Sequence, residues 1–74
     1  RMNAVAATVV FRLNGESHEE SAPLSVAARL ERAGLVDRRV AVELNGAVVP
    51  KSRHATTMIA AGDQVEIVHA LGGG

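Results

Sequence analysis

Two Asn-Gly pairs constrain the fold of this chain more than any other feature, because each follows a run of alternating apolar and polar residues. Asn14-Gly15 ends such a run over residues 5–13, and Asn45-Gly46 ends another over residues 40–44. Asn-Gly favours a two-residue type I′ turn, since both central positions need a positive φ. The sequence therefore predicts two β-hairpins, the first of which returns over residues 16–21 as a polar, edge-like strand.

A short helix is predicted between the two hairpins. Ser25 is a candidate N-cap, Val26, Leu30 and Ala33 share one helical face, and Gly34 supplies the C-terminal stop. A helix of about nine residues is marginal on its own. We therefore expect the helix to be stabilised by packing Val26 and Leu30 on a sheet.

The remaining apolar residues predict a last strand and further core. Met58 and Ile59 are expected in the core, Gly62-Asp63 marks a turn, and Val65 and Ile67 form the inward face of the last strand. Placing the first and last strands side by side in parallel, with the helix across one face, gives a mixed β-sheet of the α+β class.

Length and composition bound the possible functions. Seventy-four residues form one domain, for which we expect a folded body over 2–70 and a flexible tail over 71–74. Eight basic residues balance eight acidic ones, and Phe11 is the only aromatic residue, so nucleic acid is not expected as a partner. The chain has no apolar run long enough for a membrane span.

Cysteine and histidine indicate little metal or redox chemistry. The absence of cysteine removes disulfides and thiolate ligands and fits the cytoplasm. His18, His54 and His69 lack the spacing of a zinc site, so we expect no metal and place these histidines on the surface. His69, at the end of the last strand, is not assigned a catalytic role.

Three glycines, Gly72 to Gly74, end the sequence. Taken alone, such a tail is as consistent with a leftover linker as with a functional end. Fully extended, residues 69–74 would project roughly 20 Å, at about 3.3 to 3.6 Å per residue, which is enough to thread a narrow channel.

Several segments together resemble one known family. The strand, Asn-Gly turn, strand and helix order, the stretch Val-Glu-Leu-Asn-Gly at 42–46, Gly-Asp-Gln-Val-Glu-Ile at 62–67 and the ending Val-His-Ala-Leu-Gly-Gly-Gly at 68–74 are similar to the ThiS sulfur carriers of the ThiS/MoaD family. The resemblance spans nearly the whole chain. It implies a ubiquitin-like β-grasp fold.

The resemblance also implies a carrier cycle in thiamin (thiazole) biosynthesis. A ThiF-like adenylyltransferase would adenylate the carboxylate of Gly74, and a persulfide sulfur donor such as a cysteine desulfurase would convert it to a thiocarboxylate. The thiocarboxylate would donate sulfur to a ThiG-like thiazole synthase. Gly72 and Gly73 would thread the partner's active site, and the chain would be a carrier, not an enzyme, with no cofactor of its own.

Two apolar residues near the tail are candidates for partner docking. Since Val65 and Ile67 face inward, Val68 is expected to point the other way and to face a partner. Leu71 is the second candidate, with the alternative that it folds back on the core.

Other functions remain open at this point. A carrier for molybdopterin or cysteine synthesis shares the fold and the Gly-Gly end, although the ending at 67–71 lacks the Pro-Pro step of molybdopterin-type carriers. A ubiquitin-like protein modifier would use the same adenylation to form amide bonds with lysines. A β-grasp interaction module would use no acyl chemistry.

Overall fold

The computed structural model describes residues 7–36 and 38–69. The elements follow in the order β1 (Thr8–Leu13), β2 (Glu16–Ser21), β3 (Leu24–Ser25), α1 (Val26–Arg32), β4 (Val40–Leu44), β5 (Ala47–Val49), the 3₁₀ helix η1 (Lys51–Arg53), β6 (Met58–Ile59) and β7 (Gln64–His69). Residues 1–6, 37 and 70–74 lie outside the described residues, so the predicted limits of the folded body (2–70) and of the tail (71–74) stay predictions.

Five strands form one mixed sheet in the order β2-β1-β7-β4-β5, and β3 pairs with β6 in a second, two-stranded sheet. β1 and β7 are parallel, whereas β7 and β4 are antiparallel. The predicted α+β class and the parallel pairing of the first and last strands are confirmed. β2 lies at an edge, as its polar sequence predicted.

Both Asn-Gly pairs form the predicted turns. Asn14 and Asn45 have φ values of 50° and 52°, and the glycines that follow them have φ values of 85° and 86°. Positive φ at both central positions is the signature of a type I′ turn. The first turn sets the register of β1 with β2, and the second sets that of β4 with β5.

The helix begins and packs as predicted. The Ser25 hydroxyl accepts a hydrogen bond from the backbone N–H of Ala28 at 3.0 Å, which satisfies one free donor of the first turn. Val26 and Leu30 are buried against the sheet. The prediction that Ala33 shares the helical face of Val26 and Leu30 was wrong. The helix ends at Arg32, so Ala33 is the C-cap residue, and it is exposed.

The core lies between the helix and one face of the five-stranded sheet. Its members are buried aliphatic side chains and one aromatic ring: Val9, Phe11, Leu24, Val26, Leu30, Val42, Val49, Ile59, Val65 and Ile67. Met58 was predicted to join them but is 47% exposed, because in the two-residue strand β6 only Ile59 points inward.

The small sheet of β3 and β6 was not predicted. Leu24 is completely buried and pairs with Ile59, and Ser25 pairs with Met58. The sequence indicated only the end of a hairpin at this position. The pairing joins segments that lie far apart in sequence, so local periodicity carries no sign of it.

The surface location expected for the histidines is wrong for His54. Its side chain is buried, and Nε2 lies 3.0 Å from the carbonyl oxygen of Val49. A carbonyl oxygen only accepts, so Nε2 carries the proton. His18 is half-buried, with its ring stacked on Phe11 at 6.0 Å between centroids, and His69 is exposed.

Ion pairs connect the helix to the edge strand β2. Both oxygens of the Glu20 carboxylate are engaged: Arg29 Nε lies 2.8 Å from one, and Arg32 donates to the other from Nη1 at 2.8 Å. The Arg29 contact is an ion pair without hydrogen-bond alignment, since its Nε–H makes no hydrogen bond.

In residues 7–36 and 38–69, no helix has the length and apolar character to cross a membrane.

Candidate functional site

The last strand carries the chain to the place where the predicted tail begins. β7 lies between β1 and β4, and β4 pairs with it up to its final residue, with Val40 opposite His69 and Ala41 opposite Val68. Four predicted site residues, Leu71, Gly72, Gly73 and Gly74, lie outside the described residues. The described part of the candidate site is therefore the strand that precedes them.

Val68 lies on the face of the sheet that the helix does not cover. It is 55% exposed, while Val65 and Ile67 are buried on the helix side. The prediction that Val68 points away from the core is confirmed, and its contact with a partner stays a prediction. Its cross-strand neighbour, Ala41, is also exposed. An aliphatic patch therefore lies beside the end of β7.

Acidic side chains border this patch on the same face. Glu66 lies directly opposite Glu43 across β7 and β4, and both are exposed. Val48 of β5, on the other side of Glu43, is exposed as well. Like charges directly opposite each other are slightly unfavourable in a sheet. A partner surface with cationic groups beside an apolar contact would complement this arrangement.

Asn14 binds β7 just before Val68. Its backbone N–H donates to the carbonyl of Val65 at 2.9 Å. Its side chain then makes two hydrogen bonds with Ile67: Nδ2 donates to the carbonyl at 3.1 Å, and Oδ1 accepts from the N–H at 2.9 Å. The side-chain amide thus takes the place of a peptide group of a neighbouring strand.

Asn45 makes a comparable contact at the beginning of β7. Its backbone N–H donates to the carbonyl of Gln64 at 2.7 Å, and its Oδ1 accepts from the N–H of Gln64 at 2.9 Å. Its Nδ2 donates to Asp63 Oδ1 at 3.0 Å. The asparagines of both turns therefore hold the strand, one at each end.

Sequence reasoning missed this role of the two asparagines, for which it predicted only turns. The one signal was the choice of residue. Gly or Asp also suits the first position of a type I′ turn, but only Asn offers a neutral amide with both a donor and an acceptor. Which strand the amide meets depends on the assembled sheet.

A pocket of about 420 Å³ lies on the helix side of the molecule. It is lined mainly by small and aliphatic residues of α1 and by residues that follow β5, with Glu31, Lys51 and His54 as its charged or titratable groups. Within the described ranges, no group of three or more His, Asp or Glu residues could hold a metal ion. The pocket and Val68 lie on opposite sides of the sheet.

Comparison with known proteins agrees with the fold. The sequence model of the ThiS family matches residues 3–74. The structure of the thiamine biosynthesis protein ThiS from Geobacter metallireducens superposes with a TM-score of 0.76 and 29% identity, over 89% of this chain and 100% of that chain. The chain therefore has the β-grasp fold that the resemblance implied.

Curated relatives include two proteins named thiazole synthase. The protein from Paramagnetospirillum magneticum is 45% identical over 62 residues, which are 84% of this chain and 19% of that protein. The protein from Magnetococcus marinus is 39% identical over 64 residues, which are 86% of this chain and 20% of that protein. This chain thus spans about a fifth of the length of these relatives.

A relative of similar length is the uncharacterized protein ycf40 of Porphyra purpurea. It is 33% identical over 66 residues, which cover 89% of this chain and 93% of that protein. Its name assigns no function. The family match from residue 3 to residue 74, the full-length match to a ThiS structure and the shared β-grasp topology lead to one conclusion: this chain belongs to the ThiS family.

Proposed function

We propose that this chain is a sulfur carrier in thiamin biosynthesis that carries sulfur on the carboxylate of Gly74. The observation that carries the proposal is the ThiS family match, which runs through residue 74 and so includes the three glycines. The exposed end of β7 at His69, three positions before Gly72 in the sequence, gives further support. In this proposal residues 71–74 are the tail and residues 2–70 are its folded support.

The chemistry follows from the weak reactivity of a free carboxylate. Attack by the Gly74 carboxylate on ATP would form an acyl-adenylate and release pyrophosphate. A persulfide sulfur would then attack the acyl carbon and displace AMP, and reductive cleavage of the sulfur–sulfur bond by a thiol would leave the thiocarboxylate. Glycine at 73 and 74 suits the adenylation step because no β-carbon obstructs the approach of the nucleotide.

Three partner enzymes are part of the proposal. A ThiF-like adenylyltransferase activates the carboxylate, a cysteine desulfurase supplies the persulfide, and a ThiG-like thiazole synthase receives the sulfur. Support for the last comes from the two thiazole synthases that contain a region similar to this chain. The carrier itself performs no catalysis, and its cytoplasmic location stays a prediction.

Partner docking is proposed at the exposed patch beside the end of β7. Val68 is the proposed anchor, and Leu71 extends the apolar contact toward the glycines. Replacing Val68 by Asp should weaken binding to the adenylyltransferase at least about tenfold, because a charge would have to be desolvated in the interface. Isothermal titration calorimetry measures this loss.

Val10 provides the matched control. It is 48% exposed on the same face of the sheet as Val68. Its carbonyl accepts a hydrogen bond from the N–H of Gly62, in the turn before β7, so Val10 lies near the start of β7 and Val68 near its end. Val10→Asp should leave the affinity within about twofold. Equal losses for the two variants would contradict docking at the tail end.

The carrier function is tested by intact mass. The chain is incubated with ATP, a ThiF-like enzyme and a persulfide donor, and one oxygen is expected to be replaced by one sulfur in the C-terminal peptide. A chain that lacks Gly73 and Gly74 should stay unmodified and yet unfold at the same urea concentration, because no core residue is lost.

The alternatives predict other masses. Transfer of the carrier onto lysines would identify a protein modifier. No change at all, with an enzyme proven active on another carrier, would refute the acyl chemistry and favour a binding module.

A further inference from the structure

The end of β7 is held on its β1 side by a side chain instead of a strand. β1 ends at Leu13, and the backbone ladder between the two strands reaches Val65 through the N–H of Asn14. From there the Asn14 amide continues the ladder to Ile67, with hydrogen bonds of 3.1 and 2.9 Å to its carbonyl and N–H. Both backbone groups of Ile67 thus face Asn14, while β4 pairs with β7 on its other side, with Val42 opposite Ile67.

This contact lies immediately before the exposed patch. Val68 and His69 follow Ile67 directly and are paired with β4, opposite Ala41 and Val40. The Asn14 hydrogen bonds are partly buried and engage both backbone groups of Ile67. They therefore fix the backbone from which Val68 projects and from which the chain continues to residue 74.

We propose that Asn14 is a positioning residue for the activation of the carrier. Its side-chain amide sets where the chain leaves the sheet and how Val68 is presented to the adenylating enzyme. This inference rests on the proposed function, and it adds a residue 60 positions before the reacting glycine in sequence.

The physical reason is preorganisation. A carrier end that must enter an enzyme's active site binds best when its tether is short and its direction is fixed. Five residues of the sequence follow His69, the last residue paired with β4, and eight would follow the paired part of the strand if residues 67–69 were released. In the proposed function these following residues act as the tether of the reactive carboxylate. The local concentration of the reactive end falls as roughly the −3/2 power of tether length, so this change alone costs about twofold. Misplacement of Val68 adds to that loss.

The chain offers a matched control in Asn45. It occupies the same position of an equivalent Asn-Gly turn, with φ near 50° in both cases, and its side chain also binds β7. Its contact lies at Gln64, the first residue of the strand, away from the exit. Glycine adopts this φ without strain, so Asn14→Gly and Asn45→Gly each remove a side-chain amide and keep the turn.

The kinetic test measures adenylation of the two variants by the ThiF-like enzyme as a function of carrier concentration. Asn14→Gly should raise the KM for the carrier about threefold or more and leave kcat within about twofold. Asn45→Gly should leave both constants near those of the wild-type chain. Loss of stability alone changes neither constant while nearly all molecules are folded, so the KM effect separates positioning from stability.

A graded variant sharpens the kinetic test. Asn14→Asp keeps an oxygen for the N–H of Ile67 and loses the donor to its carbonyl, so its KM should fall between those of Asn14→Gly and the wild-type chain. Equal KM values for the wild-type chain and Asn14→Gly, or an equal rise in Asn45→Gly, would overturn the proposal.

A second measurement tests without any enzyme whether Asn14 orders the end of β7. Amide hydrogen exchange by NMR should be at least about tenfold faster at Ile67 and Val68 in Asn14→Gly and unchanged there in Asn45→Gly. If the wild-type chain is not adenylated at all, the proposed function fails. The exchange rates then still show whether Asn14 orders the strand end, and unchanged rates in Asn14→Gly would refute its role.

Discussion

Replacing Leu30 by alanine is expected to reduce the free energy of unfolding by about 2 to 3 kcal/mol. Leu30 is 5% exposed and, with Val26, forms the buried side of α1. Replacing a buried leucine by alanine lowers the free energy of unfolding by about 2 to 5 kcal/mol, depending on how far the surrounding residues relax into the cavity. Leu30 also lines the pocket beside the helix, so the cavity left behind opens toward existing space, which favours the lower half of that range.

This loss is large for a domain of this size. At about 0.05 to 0.15 kcal/mol per residue, 74 residues give a total stability of about 4 to 11 kcal/mol. With a urea m-value of about 1 kcal/mol per molar, the midpoint should fall by about 2 to 3 M. Far-UV circular dichroism follows the transition, because the chain has no Trp or Tyr for fluorescence.

Val36 is the control for this prediction. It lines the same pocket but is 54% exposed, so Val36→Ala should change the free energy of unfolding by less than about 0.5 kcal/mol. A loss below about 0.5 kcal/mol in Leu30→Ala would refute the conclusion that this face stabilises the helix. Equal losses in both variants would show that the pocket lining acts as part of the core.

Two further substitutions test polar contacts of the fold. Glu20→Gln should lower the free energy of unfolding by about 1 to 2 kcal/mol, because Arg29 and Arg32 lose the carboxylate that they share; an unchanged urea midpoint would assign the two pairs no net stabilisation. His54→Ala should cost about 1 to 3 kcal/mol in the same assay, since the carbonyl of Val49 loses its buried donor. A cost near zero would indicate that water replaces the imidazole.

The accuracy of the sequence predictions depended on how local each signal was. The turns at Asn14 and Asn45 follow from the φ preference of two adjacent residues, and Val65 and Ile67 follow from alternation within one strand. Met58 was predicted wrongly, because a strand of two residues is too short for alternation to show which side chain points inward.

The candidate site could be predicted only in part, for a similar reason. The exposed orientation of Val68 follows from its place after Ile67 in an alternating strand, and the structure confirms it. The roles of Leu71 and of the terminal glycines depend on partner enzymes, so their tests lie in the adenylation and binding experiments.

The sequence by itself determined the order of the helix and the longer strands, the two type I′ turns, the start of the helix at Ser25 and the inward face of β7, because these depend on residues within a few positions of one another. Only the tertiary structure decided that Leu24 pairs with Ile59, that His54 is buried against Val49, and that Asn14 holds Ile67 from 53 residues away. These contacts arise when the sheet brings distant segments together. A buried polar group then takes whichever hydrogen-bonding partner the assembled fold provides.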